Sequence, residues 1–311
     1  MDTTFPAATS PRPSRFQLPP GPWATVLDCL ADAFPRVDRA TWRDRMAAGR
    51  VLGEDGRPIA VDALHHTGLR LIYFRDVPDE PVLPFDEVIL YQDEHLLVVD
   101  KPHFLPVVPA GRFVRQCLLH RLVERTGIQS LVPLHRIDRL TAGLVMFSLR
   151  HEERHLWAQL FRGHHVRKHY QAVAPALPGM ALPRELATRI EAGEPFFRMR
   201  QVDGPANSLT TIRAITTSGE HWLYELAPVT GRKHQLRVQM AALGAPIQND
   251  PWYPVLRQDA DDYDHPLQLL ARSLAFADPF TGKLRQFESR LSLKLDPRGR
   301  TLEGLPSLPS P

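Results

Sequence analysis

Leu134–Gly143 reads LHRIDRLTAG. It sets one aspartate, Asp138, between two arginines, Arg136 and Arg139, two residues short of a Thr-Ala-Gly turn. Neighbouring positive charge favours the ionised form of a carboxylate, which suits a nucleophile or an electrostatic anchor better than a proton donor. The same letters also describe a surface Asp/Arg mixture, whose ion pairs are worth about 0–1 kcal/mol. What flanks the stretch decides between the two.

Downstream, Ala142–Leu149 is a continuous apolar run of strand length, and Glu152–Gly163 has the amphipathic spacing of a helix closed by glycine. Lys168–Pro175, Leu209–Thr217 and His221–Pro228 read as strands, Gln235–Gly244 as a helix with Gly244 as its left-handed cap, and Leu267–Pro279 as late β structure. Upstream, Val88–Tyr91 and Leu96–Val99 flank a turn at Gln92–His95, a hairpin signal, and Gln116–Gly127 is an amphipathic helix. Helices interleave with strands without regular βαβ repetition, so the expected fold is α+β with a largely antiparallel mixed sheet.

Boundaries follow from composition. Residues 1–22 are Pro- and Ser-rich and are expected to be disordered. Residues 23–76 carry two helical segments and then short strands, enough for a small α/β accessory domain; 77–87 holds three prolines and several acids and reads as a linker. Residues 88–296 form the main domain, and 297–311 a flexible tail.

The chain has 311 residues, 43% of them hydrophobic and 23% charged, an ordinary soluble composition with room for one large and one small domain. No run of about 18 uncharged apolar residues marks a membrane span, and the N-terminus lacks a secretory pattern. Two cysteines, Cys29 and Cys117, outside any CxxC pair, point to a reducing cytoplasm and away from structural zinc. The histidines form no HExxH-type pattern, so no metal is expected. Net charge is +3, and only five of 38 basic residues are lysine. Arginine is suited to bidentate phosphate contacts and to stacking on bases, and basic residues bunch at Gly111–Arg125 and Phe161–Tyr170. Charge alone fits a nucleic-acid surface and solvated helix faces equally.

Three stretches together resemble one family. LHRIDRLTAGLVMFS is similar to the catalytic signature of the RluA-type RNA pseudouridine synthases: His-Arg-Leu-Asp, two residues, Thr-Ser-Gly, then an apolar strand. VRKHYQAV resembles their Lys-x-Tyr motif. PVTGRKHQLRVQMAALGAPIQNDPWY resembles their third signature, Thr-Gly-Arg-x-His-Gln-Ile-Arg followed by Leu-Gly, Pro-Ile and an Asp before Tyr, and LLVVDKPHFLPVVP resembles the Lys-Pro strand ahead of them. The resemblance runs from about Val88 to Leu295, and ordered matches at consistent spacing are far more specific than a lone His-Arg-x-Asp. Ala142 departs from the usual serine, Gln239 and Ala245 from common histidines, and Gln248–Asp250 from x-Gly-Asp; Leu270 and Asp278 stand where histidine is frequent. These departures bear on the substrate rather than on the chemistry.

The resemblance implies isomerisation of uridine to pseudouridine in RNA, without cofactor or metal, in a central RNA-binding cleft. It implies Asp138 as the essential carboxylate, Tyr170 lying against the uracil and accepting a proton, and Arg237 pairing with Asp138 from below. Arg136 would occupy the space of the flipped nucleotide or grip its phosphate. Lys101, Lys168, Thr230, Gly231, Arg232, His234, Gln235 and Leu236 would bind substrate, Thr230–Gly231 turning into a helix whose first amides suit phosphate. Each has a plainer reading: Asp138 as a turn residue, Tyr170 as a strand aromatic, Arg237 as an exposed helix charge, Lys101 as a strand-end lysine. Residues 23–76 resemble a small RNA-binding module named after a ribosomal protein, with Asp28, Asp32, Asp38 and Asp44 interrupting its basic face. The expected partner is a ribosomal or transfer RNA stem-loop, bound by a monomer. A silent RNA-binding protein and a hydrolase of glycosidic bonds are the alternatives, the latter lacking a partner carboxylate at readable spacing.

Overall fold

The structure, a computed structural model, describes residues 13–35, 37–74, 80–217, 219–257 and 261–293. The described residues form two compact units. One comprises the residues up to Glu80 together with Gly111–Arg115, and the other comprises Pro81–Ala110 and the residues from Gln116 on.

In the first unit β1 (Ser14–Gln17), α1 (Val26–Ala33), α2 (Arg39–Ala47), β2 (Val51–Gly53) and β3 (Arg70–Tyr73) build a three-stranded antiparallel sheet in the order β1-β3-β2 with two helices. Leu27, Leu30, Trp42, Met46, Leu71 and Tyr73 share its core. The expectation of disorder through residue 22 is corrected. Ser14–Gln17 pairs with Arg70–Tyr73, and Phe16 packs edge-on against Phe34 at 4.9 Å; residues 1–12 lie outside the described residues. Two acids that interrupt the basic face serve helix ends instead. Asp28 closes a capping box with Thr25, and Asp38 accepts from the Thr41 amide at 2.6 Å.

The second unit holds one sheet of eleven strands: β4 (Val88–Gln92), β5 (Leu96–Lys101), β6 (Val132–Pro133), β7 (Ala142–Ser148), β8 (Arg167–Pro175), β9 (Arg184–Ala192), β10 (Met199–Val202), β11 (Ser208–Thr216), β12 (His221–Pro228), β13 (Leu269–Ala277) and β14 (Leu284–Glu288). The order is β10-β9-β11-β12-β8-β13-β7-β5-β4, with β14 beside β13 and β6 beside β7. All pairings are antiparallel except β13 with β7, so the fold is α+β with a largely antiparallel mixed sheet. Helices α3 (Leu118–Thr126), α4 (Arg154–Arg162) and α5 (Gln235–Ala242) accompany it.

Every residue of β7 is buried, which is why its sequence is apolar without alternation. Its second residue, Gly143, has φ +108, and a Cβ there would fall 2.3 Å from the Ala271 carbonyl oxygen of β13. Only glycine lets the two parallel strands close up beside the signature loop. Residues 77–87 are not a free linker: 77–79 lie outside the described residues, but Leu83 is buried and Glu87 is 5% exposed beneath Arg121 and Arg125. Gly111–Arg115 groups with the first unit rather than the main domain, because the amides of Val114 and Arg115 donate to the Glu80 carboxylate. The 297–311 tail lies outside the described residues.

Candidate active site

The signature loop lies between β6 and β7 and is held from beneath. Lys101, fully buried at the end of β5, donates its Nζ to the carbonyls of Pro102 (2.9 Å), Leu105 (2.7 Å) and Arg139 (3.2 Å). Burial pushes its pKa well down. All three donors of the ammonium are spent on backbone, so the substrate-binding role expected of Lys101 is corrected to that of a strut under the loop. Nδ1 of His103 donates to the Leu140 carbonyl at 2.6 Å, and Nε2 of His135 accepts from the Met146 amide at 3.2 Å.

These ties leave the Asp138 side chain 26% exposed. Arg139 turns away from it and grips Asp261 through two contacts of 2.7 and 2.9 Å. Of the two flanking arginines, Arg136 alone stays exposed, with no protein partner among the described residues. The cation that meets Asp138 comes from α5. Arg237, 1% exposed, reaches Oδ2 of Asp138 with one guanidinium nitrogen at 3.3 Å and grips Asp250 with two bonds of 2.8 and 2.7 Å. Burial works against the charge on Arg237, yet Asp250 first and Asp138 second raise its pKa above the usual arginine value. A buried guanidinium between two carboxylates fixes its own plane and, through that, one oxygen of Asp138. Asp250 is the partner that sequence reading left out of the site; its signal, an aspartate before Tyr in the third signature, was present.

Asp138 opens onto a cavity of about 690 Å³, and it is the one acidic side chain among the described lining residues. Arg136, Arg162, Lys168, Arg232 and Lys233 also line it, with Tyr170, His234 and Leu236. Arg162 and Lys233 were not singled out from sequence, though both lie in or beside quoted motifs. Tyr170 sits on β8; burial first and the Asp138 charge second raise its pKa above the tyrosine range, so the resting group is the neutral phenol. Lys168, two residues before it, reaches the carbonyls of Val229 and Thr230 at 3.5 and 3.4 Å.

The Thr230–Gly231–Arg232 turn is built from within. Gln235 accepts from the Thr230 hydroxyl (2.8 Å) and the Arg232 amide (3.0 Å), and donates to the Leu209 carbonyl (3.1 Å) and the Thr210 hydroxyl (2.8 Å). The Thr230 hydroxyl also accepts from the Leu209 amide. The side-chain polar atoms of Thr230 and Gln235 are thus occupied within the protein, so these two side chains build the turn. Gly231 and Arg232 remain exposed at the wall, while Leu236 is 7% exposed. The unusual Gln239 is buried as well: it accepts from Thr210 and donates to the Leu186 carbonyl and to Thr188, stitching α5 to the sheet.

Comparison with known proteins identifies the family of the chain. The family described as RNA pseudouridylate synthase matches residues 95–242. The chain is 30% identical over 235 residues to an uncharacterized RNA pseudouridine synthase of Synechocystis, covering 73% of this chain and 79% of that one. It is 33% identical over 220 residues to tRNA pseudouridine synthase C of Salmonella typhimurium, covering 63% and 82%. RNA pseudouridine synthase 7 of Arabidopsis thaliana is 29% identical over 252 residues, with 77% of this chain but only 62% of the plant protein aligned. Among solved structures, human RNA Pseudouridylate Synthase Domain Containing 1 shares the fold, with a TM-score of 0.57 at 23% identity over 74% of this chain and 94% of that one. With relatives of 30% identity or more aligned over most of their length, the chain belongs to the RluA-like family of RNA pseudouridine synthases.

Proposed function

We propose that this chain isomerises a uridine of a structured RNA to pseudouridine, with Asp138 as the reacting carboxylate. The observation that carries the reading is the position of Asp138: one oxygen is held by a buried arginine, and the side chain lines a cavity in which, among the described lining residues, it is the one acid among several cations. The reaction breaks the N1–C1′ bond and joins C1′ to C5 of the same uracil, so the detached ring must be held while it turns. Asp138 attacks the sugar or the base, or takes a sugar proton, to release the ring. Tyr170 supplies a face for the uracil and a hydroxyl for the C5 proton. Arg136, exposed at the rim, takes the place of the flipped base or grips its phosphate, and Arg162, Arg232 and Lys233 meet neighbouring phosphates.

The substrate class is a stem-loop of transfer or ribosomal RNA, recognised by shape and splayed bases; the tRNA in one relative's name supports the first. Two buried cysteines outside any disulfide fit a reducing cytoplasm. No helix among the described residues is long and apolar enough to cross a membrane. A hydrolase reading predicts free uracil, and the described lining residues offer no second carboxylate to carry it. The deciding experiment is single-turnover conversion of a uridine-containing stem-loop. The wild type yields pseudouridine and no free uracil, while Asp138→Asn yields neither and still binds the RNA. Pseudouridine formed by the Asn variant, or uracil released by the wild type, overturns the reading.

A further inference from the structure

His234 heads α5 in left-handed backbone (φ 55), its ring 4% exposed between Trp252 and Tyr253. Its two nitrogens face different groups. Nδ1 lies 2.8 Å from the Tyr253 hydroxyl, and Nε2 lies 3.9 Å from Oδ1 of Asp138, the oxygen that Arg237 does not hold. The Tyr253 hydroxyl already accepts the Met199 backbone N–H at 2.7 Å. A phenol has one proton to give, and among the described residues its remaining hydrogen-bond partner is Nδ1. Donation from Tyr253 to Nδ1 leaves the ring proton on Nε2, on the side of Asp138. Burial outweighs the pull of Asp138 and brings the His234 pKa down to about 4, so the ring is neutral near pH 7.

Resting on the pseudouridine synthase reading, we propose that His234 is a positioning residue whose Nε2–H, its tautomer set by the Met199–Tyr253 relay, steers the free oxygen of Asp138 while Arg237 anchors the other. Two holds at different oxygens fix the rotation of a carboxylate that one hold leaves free. A neutral donor does so without adding a second ion pair that would quench the reacting oxygen. At 3.9 Å the pair stands beyond hydrogen-bond distance; catalytic contacts of this kind tighten when substrate is in place. The relay also links β10, through the Met199 amide, to the reacting group.

The tautomer is read from ring nitrogen shifts of protein labelled with 15N-histidine, without RNA, the His234 signals being assigned by their loss in His234→Gln. Nδ1 is expected unprotonated and Nε2 protonated, unchanged from pH 6 to 8, and Tyr253→Phe is expected to release the preference. With a stem-loop, His234→Ala should lower the single-turnover rate by about 10–100-fold, the scale of a misplaced reacting group, with RNA affinity within a few-fold. His234→Gln, which returns an N–H near the Nε2 position at the same left-handed backbone, should recover most of that loss. A proton resident on Nδ1 in the wild type, or an Ala variant turning over at the wild-type rate, overturns the proposal. A wild type that makes no pseudouridine overturns the reaction itself, a failure distinct from either of these.

Discussion

Gly111–Arg125 and Phe161–Tyr170 each carry a dense set of arginines and histidines, yet their charges end in different places. On α3, Arg121 turns inward and donates to the carbonyls of Phe85 (2.6 Å) and Leu83 (3.1 Å) and to the side chain of Gln116. Arg121 and Arg125 both lie 3.5 Å from Glu87, which is 5% exposed. At the end of α4, by contrast, Arg162 is exposed and among the described residues meets only the Ala158 carbonyl of its own helix, and it lines the cavity with His164 and Lys168. The difference lies in what packs against each stretch. The proline-rich segment before β4 brings Glu87 and the carbonyls of Leu83 and Phe85 to α3, whereas Arg162 and Lys168 line a cavity in which Asp138 is the one acidic side chain among the described lining residues. Charge density along a sequence records neither outcome; the partner element decides it.

The largest effect that sharpens this contrast is expected at Tyr170, on the cavity side. Its hydroxyl is held neutral, so it can take the C5 proton only by giving up its own in the same step, and Asp138 is the charge it senses. Tyr170→Phe keeps the ring and removes the relay. The single-turnover rate should fall by about 10²–10⁴-fold, the usual scale of general acid–base contributions, with RNA affinity and thermal stability nearly unchanged. A Phe variant at near wild-type rate leaves Tyr170 as a stacking face alone.

On the α3 side the expectation reverses. Arg121→Met removes donors from two carbonyls and one of two cations from a nearly buried Glu87, so stability should drop by about 3 kcal/mol, the lower end for breaking a buried pair because Arg125 remains. Denaturant midpoints measure the loss. RNA affinity, measured where the variant is folded, should stay at the wild-type value; a marked fall would return Gly111–Arg125 to the RNA surface.

The same logic says what the sequence could disclose. That Asp138, Tyr170 and Arg237 belong together was legible from three ordered motifs, and the structure brings all three to one cavity, while β7, β8 and β12 were legible because buried strands leave apolar runs. Lys101 was legible as a residue but not as a role: nothing in its neighbours says that Nζ meets three carbonyls. Strands β9 and β10 escaped notice because arginines and glutamates on their exposed faces mask the alternation. Glu87 escaped because prolines mark a break in regular structure, not an absence of packing.

The smallest effect is the most direct test of the cavity side. If Arg162 meets a phosphate, releasing that contact returns one counterion, and the slope of log affinity against log salt should flatten by about 0.7 in Arg162→Ala for a single-stranded loop. The change is specific in sign and size, because an arginine that merely decorates the helix end alters neither slope nor affinity. Since Arg162 is exposed and, among the described residues, bonded only to its own helix, its removal costs little stability, and the binding readout is free of folding. Arg121→Met serves as the opposite control: its slope should match the wild type even as its denaturant midpoint falls. An unchanged slope in Arg162→Ala would mean that the exposed cations of α4 are as silent toward RNA as the buried ones of α3, and the contrast between the two stretches would then be one of packing alone.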